Sequence, residues 1–296
     1  MKIVLAGASG FLGTPLRAAL VTQGHTLVQL VRGDPQRADQ SQWDPYTGQV
    51  DTGLIASADV VVNLAGAPIA RVPMTESYKR QIVESRVATT SCLADTIATL
   101  GGTTALVNAG GINYYGVDCG DQALDEASPP GPGFLAEVAQ QWEAATTSAR
   151  NSGARVAVLR TAIVLDRSGG SFRLMALPFR FGVGGRVGSG AQWFPTISLA
   201  DYVSAATRIV TDDSMHGPYN MTAEVPSTNA QFTDELGRQL RRPTVLAVPG
   251  FAVTTVVGEL GKAMLGSIKA IPQRLLEAGF TFAHPTIGDQ LRAALH

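Results

Sequence analysis

Along the first half of the chain, short apolar runs alternate with longer segments whose apolar residues recur at helical spacing. The runs Ile3–Ala6, Thr26–Val31, Val60–Ala65, Ala105–Asn108 and Val156–Leu159 predict strands, while Phe11–Thr22 and Thr75–Leu100 predict helices. Strands this uniformly apolar belong in a parallel sheet covered by helices on both faces, so residues 1–165 are expected to form a doubly wound parallel α/β sheet with right-handed crossovers. Between the second and third runs, Gly33–Ala58 is polar and rich in turn formers, and predicts a loop with at most one short helix.

After Leu165 the texture changes. Seven glycines fall between Gly169 and Gly190, which means either close backbone approach or a mobile loop. Two helices are predicted at Leu199–Thr211 and Asn229–Leu240, then a tail at Ile271-Pro272-Gln273-Arg274 with proline in a first turn. Residues 166–296 are therefore expected to form a smaller C-terminal substrate lobe, with a short extension from about residue 243. Later segments around 190–225 are available to complete the sheet.

Composition narrows the function classes. Charged residues are only 16% and the net charge is -1, without a run of like charges, so nucleic acid and membrane surfaces are not expected partners. No basic region, apolar stretch and cleavage site follow Met1, and the longest uncharged run, Thr96–Val117, is broken by Gly101, Gly102, Gly110 and Gly111. A cytoplasmic location is expected. Cys92 and Cys119 cannot build a disulfide framework, and they form no ligand spacing with His25, His216, His284 and His296, so no metal is expected.

The sharpest signal is Gly7-Ala8-Ser9-Gly10-Phe11-Leu12-Gly13, after the first strand and opening the first helix. In such a turn the first glycine permits the bend, the second lets backbone N–H groups approach a pyrophosphate, and the third lets the helix pack on the strand. About twenty residues on, where an acidic residue would take the ribose hydroxyls of NAD, stands Arg32, with Arg37 nearby. An arginine suits a 2′-phosphate, so NADP(H) is the preferred cofactor. NAD(H) stays open, because Arg32 could be an ordinary solvated charge and Asp34 could turn toward the ribose.

With this turn, Asn63-Leu64-Ala65-Gly66 and Tyr114-Tyr115-Gly116, the chain resembles the extended short-chain dehydrogenase/reductase superfamily, and within it the atypical NAD(P)-dependent epimerase/dehydratase-like subgroup. Trp43-Asp44-Pro45, Glu84-Ser85-Arg86, Trp142-Glu143, Leu159-Arg160-Thr161, Gly188-Ser189-Gly190, Gly217-Pro218-Tyr219-Asn220 and Pro272–Phe280 extend the likeness over essentially the whole chain. The resemblance implies a Rossmann-type sheet, and an NADP site lined by Gly7, Gly10, Gly13, Arg32, Leu64, Ala65 and Gly66. Ser9, Phe11 and Leu12 of the turn, and Asn108 and Ala109 at the fourth strand's end, complete the expected cofactor set.

The family's chemistry is where the chain departs. Ordinary members use a tyrosine acid/base, a lysine four residues later and a serine holding the substrate oxygen. None of the six tyrosines here has a lysine four residues on, and the matching positions hold Gly110, Leu135 and Ala139. Tyr114, Tyr115, Asn113 and Arg86 remain as catalytic candidates, each also readable as pocket wall or, for Arg86, as a helix-surface ion pair. Arg173, Arg180 and Arg186 flank the glycine-rich segment and would suit an anionic substrate.

Two functions follow. One is an epimerase-like oxidoreductase passing hydride between nicotinamide and a small carbonyl, alcohol or nucleotide-sugar-like substrate. The other is a non-catalytic NADP(H)-binding sensor or partner-binding protein. A homodimer through the long helix is consistent with either.

Overall fold

The computed structural model describes residues 1–69, 74–250 and 259–296. Strands, in chain order, are β1 (Lys2–Ala6), β2 (Thr26–Val31), β3 (Gln40–Gln42), β4 (Val60–Asn63), β5 (Ala105–Gly111), β6 (Ala123–Leu124), β7 (Val156–Thr161), β8 (Ile163–Leu165), β9 (Gly185–Val187), β10 (Thr196–Ser198), β11 (Gly217–Met221), β12 (Leu246–Val248) and β13 (Lys269–Ala270). Helices are α1 (Gly13–Thr22), α2 (Thr52–Ala56), α3 (Glu76–Thr99), α4 (Phe134–Ala144), α5 (Thr147–Asn151), α6 (Gly170–Arg180), α7 (Leu199–Thr211), α8 (Asn229–Leu240), α9 (Glu259–Leu265), α10 (Gln273–Glu277) and α11 (Ile287–Leu295).

Seven strands form one sheet in the order β3-β2-β1-β4-β5-β7-β11. Each neighbouring pair is parallel. Strand alternation divides the core: Ile3 and Leu5 join Leu16 and Leu20 of α1 and Tyr202 and Ile209 of α7 on one face. Val4 and Ala6 join Leu93 and Ile97 of α3 and Ile55 of α2 on the other. The order reverses between β1 and β4, which opens a crevice at their carboxyl ends.

The apolar runs foretell these strands to within a few residues, and Leu199–Thr211 and Asn229–Leu240 are helices at the expected bounds. Gly33–Ala58 differs from expectation. It holds α2 and also β3, whose residues Gln40-Ser41-Gln42 carry no apolar signal because this edge strand pairs only with β2.

Three short parallel pairs, β8 with β10, β9 with β12 and β6 with β13, lie outside the main sheet. Two of them use strands from the C-terminal end of the chain, which is thereby stitched back onto earlier segments. Of the extension expected from about residue 243, residues 251–258 lie outside the described residues.

The stitching is also polar. Asp201, 2% exposed, accepts the amides of Ala283 at 2.7 Å and His284 at 3.0 Å, and the Ser198 hydroxyl at 2.9 Å. The Arg274 guanidinium donates to the Pro218 carbonyl at 3.0 Å and covers the Tyr219 ring. Gly217 has φ 78°, and a Cβ there would lie 2.6 Å from that guanidinium, so the glycine makes room for it. Phe280 and Phe282 complete the core on the α1/α7 face, each adding roughly 1.5–3 kcal/mol by burial.

Asp201→Ala leaves two backbone donors without their acceptor and should lower unfolding stability by roughly 2–3 kcal/mol in a urea titration. An unchanged unfolding midpoint would show that the C-terminal segment is held by other contacts.

Candidate functional site

At the crevice between β1 and β4 lies a cleft of about 1160 Å³. Its floor is the glycine turn and Leu64–Pro68, and its walls are the end of β2, the Trp43–Tyr46 segment and the Tyr78, Gln81, Ser85 and Thr89 side of α3.

The three glycines of the turn have different reasons to be glycine. Gly7 has φ 79°, and a Cβ there would sit 2.7 Å from the Leu64 carbonyl carbon. A Cβ on Gly13 would run into the Gly7 carbonyl. Both are demanded by packing of β1 and α1 against β4. Gly10 is exposed, and a Cβ there meets only the Gly7 carbonyl oxygen, at 3.2 Å, so its open side faces the cleft. Above it, α1 follows its N-cap Leu12 with no side-chain cap and no acidic residue in its first turn, leaving amide hydrogens and the positive end of the helix dipole for an anion. These residues fit the pyrophosphate of a dinucleotide.

Arg32 and Arg37 are exposed at the cleft wall. Arg37 pairs with Asp39 at 3.1 Å, and Asp39 is also held by the Gln29 side chain at 2.7 Å, which keeps this carboxylate on the β2–β3 edge. Arg32 has no hydrogen bond or ion pair among the described residues and is free for a ligand. Asp34 turns its backbone carbonyl to Gln36.

Of the expected cofactor residues, Gly7, Ser9, Gly10, Arg32, Leu64, Ala65 and Gly66 border this cleft. Phe11, Leu12, Gly13, Asn108 and Ala109 do not. The Phe11 ring lies under Gly169 and Gly170, where any side chain would collide with it. Asn108 is fully buried, its side-chain Oδ1 accepting from the Asn63 side chain at 2.8 Å and the Thr90 hydroxyl at 3.1 Å. In the same network Asn63 receives the Ala65 amide at 3.1 Å, so Asn108 steadies the cleft floor from behind.

Three of the four catalytic candidates, Asn113, Tyr114 and Tyr115, lie in the 3₁₀ turn Ile112–Tyr115 at the carboxyl end of β5, and the fourth, Arg86, lies on α3. Tyr115 is buried. Its hydroxyl accepts from Arg160 at 2.8 Å and donates to Asn220 at 2.7 Å. Burial pushes this phenol up to about 12, with Arg160 opposing. Its proton is therefore fixed at neutral pH and its donor already used. Burial also opposes the charge on Arg160, but the doubly bonded Glu143, at 2.8 and 3.0 Å, holds the guanidinium firmly protonated. Glu126 is raised by burial even though it accepts the Asn220 and Arg274 amides.

Tyr114 is half-buried with the Arg160 guanidinium 3.6 Å above its ring. Neither its hydroxyl nor the Asn113 amide makes a hydrogen bond among the described residues. Arg86 forms no ion pair among the described residues. It is buried against the Trp142 ring and Gly66, donates to the Ala67 and Ile82 carbonyls at 3.1 Å each, and is pushed down to about 10 by burial.

Where the resemblance places serine, tyrosine and lysine, the chain is apolar and closely packed. A side chain on Gly110 would meet Val158 at 2.8 Å, and Leu135 and Ala139 are buried on α4. The cleft walls Tyr46, Gln81, Thr89 and Leu174 escaped the sequence reading. Only Trp43-Asp44-Pro45 and Glu84-Ser85-Arg86 signalled part of this surface, as motifs without an assigned place.

The profile of the NAD dependent epimerase/dehydratase family matches residues 3–221. The chain belongs to this family. A second profile, a domain of unknown function, matches residues 248–294. An epimerase family protein of Mycobacterium bovis is 40% identical over 98% of this chain and 96% of its own length. A human epimerase family protein, crystallised with NADPH, is 31% identical with a TM-score of 0.89 over 99% of both chains. A nucleoside-diphosphate sugar epimerase from Corynebacterium glutamicum is 33% identical with a TM-score of 0.83, over all of this chain and 58% of that longer one. No helix among the described residues is long and apolar enough to cross a membrane.

If Tyr115 serves the fold, Tyr115→Phe should leave nucleotide affinity unchanged while costing roughly 1–3 kcal/mol in stability, through the stranded Arg160 and Asn220 groups. A loss of nucleotide binding at unchanged stability would return Tyr115 to the site.

Proposed function

We propose that this chain is an NADP(H)-binding, epimerase-like oxidoreductase acting on a small carbonyl, alcohol or nucleotide-sugar-like substrate without the usual serine, tyrosine and lysine. The observation that carries the reading is the open side of Gly10 beneath the uncapped start of α1, with Arg32, unpaired among the described residues, on the same cleft. When bound, the nicotinamide supplies or accepts a hydride. Arg32 would hold the 2′-phosphate, with Arg37, itself paired with Asp39, on the same wall. NAD(H) fits less tightly, because Asp39 is committed to Gln29 and Arg37 instead of reaching the ribose hydroxyls. The NADPH in the human relative supports the same preference. The Tyr114 hydroxyl and the Asn113 side-chain amide, neither of them hydrogen-bonded among the described residues, would orient the substrate oxygen, and the proton would be exchanged with water.

A second reading, binding of NADP(H) without turnover as a sensor or partner-binding protein, is favoured by the packed Gly110, Leu135 and Ala139. A substrate-dependent change in NADPH absorbance across aldehydes, ketones and nucleotide sugars supports turnover, and a null across all three supports the second reading.

The cofactor assignment has a direct test. Fluorescence titration should show NADPH binding more than about tenfold tighter than NADH, and Arg32→Ala should weaken NADPH by roughly 1–3 kcal/mol while sparing NADH. Equal losses for both nucleotides would remove Arg32 from the 2′-phosphate.

A further inference from the structure

From Arg167 to Ala200 the chain carries four arginines and no carboxylate. Much of this stretch is α6, whose inner residues Phe172, Ala176 and Phe179 are anchored in the lobe's core with Phe194 and Phe232. The opposite face is uncovered. Leu174, Leu177 and Phe181, at helical spacings of three and four, are 60%, 47% and 75% exposed. Arg173 and Arg180 form a second row beside this stripe, exposed and with no hydrogen bond or ion pair among the described residues.

The stripe begins at the cleft. Leu174 is part of the cleft wall, because Gly169 and Gly170 let the start of α6 settle on the Phe11 ring next to the glycine turn. From there Leu177 and Phe181 lead outward over about 10 Å, at 1.5 Å rise per residue. Single exposed apolar residues need no explanation, but a row continuous with a binding cleft marks a surface that is covered in use. A purely apolar occupant would leave the arginine row unused, and a small anion would leave the stripe bare.

We propose that the substrate reaching the cofactor across α6 is an amphipathic anion, with its anionic head on the Arg173 and Arg180 row and its apolar body along Leu174, Leu177 and Phe181. This rests on the NADP(H) reading of the adjoining cleft.

The test is calorimetric titration of the NADPH-loaded protein with decanoate, acetate and 1-decanol, each below its aggregation limit. Decanoate should bind at least tenfold more tightly than either comparator. The double variant Leu177→Ser, Phe181→Ser should lose at least tenfold in decanoate affinity, and Arg173→Ser, Arg180→Ser should bring decanoate down to the level of 1-decanol. NADPH affinity should be unchanged in both. Decanoate binding equal to acetate, or indifferent to either double variant, overturns the proposal. So does phosphatidylglycerol-vesicle binding that decanoate fails to displace, which would make α6 a lipid-facing surface. Failure of the wild-type protein to bind NADPH overturns the cofactor reading instead, and is measured separately.

Discussion

The structure depends on how closely the β1–α1 turn approaches the end of β4. Gly7 lies so near Leu64, and Gly13 so near Gly7, that a side chain at the first would push the turn away from the end of β4 and one at the second would push α1 away from the turn. That contact places the start of α1 and the open Gly10 over the point where the strand order reverses, which is where an open α/β sheet binds ligands. It is reinforced from behind by the buried Asn63, Asn108, Thr90 and Trp142 network, in which the Trp142 indole donates to Thr90 at 3.0 Å. The cleft floor is thus fixed by packing before any ligand arrives, which lowers the ordering cost of binding.

The far edge of the sheet is organised for stability. Arg160 ties Tyr115, Glu143 and the Glu126 carbonyl together, and Glu126 in turn receives amides from β11 and from the start of α10. A charged network this buried is worth little if any member is lost, since each partner would be left uncompensated. The arrangement joins the C-terminal segment to the carboxyl ends of β5, β7 and β11. Tyr114 and Asn113, in the turn after β5, make no side-chain hydrogen bond among the described residues.

Much of the fold is legible in the sequence because β1, β4 and β5 are buried on both faces and read as continuous apolar runs. β3 is not legible, since Gln40-Ser41-Gln42 is an edge strand shaped by pairing with β2 alone. The glycine turn and Arg32 are visible as local patterns, and they do meet in one cleft. Other features depend on contacts distant in sequence: the burial of Arg86 under Trp142, the grip of Asp201 on Ala283 and His284, and the arrival of Leu174 at the cleft wall. No spacing rule reports those, because each partner is chosen by tertiary packing.

On the proposed reading Gly10 is glycine for a ligand, whereas Gly7 and Gly13 are glycine for the fold. The most direct measurement is the NADPH affinity of Gly10→Ala, taken together with its urea unfolding midpoint. Gly10→Ala should lose at least tenfold in affinity, about 1.4 kcal/mol or more, with the midpoint close to that of the unaltered protein. NADPH binding as tight as in the unaltered protein would contradict it.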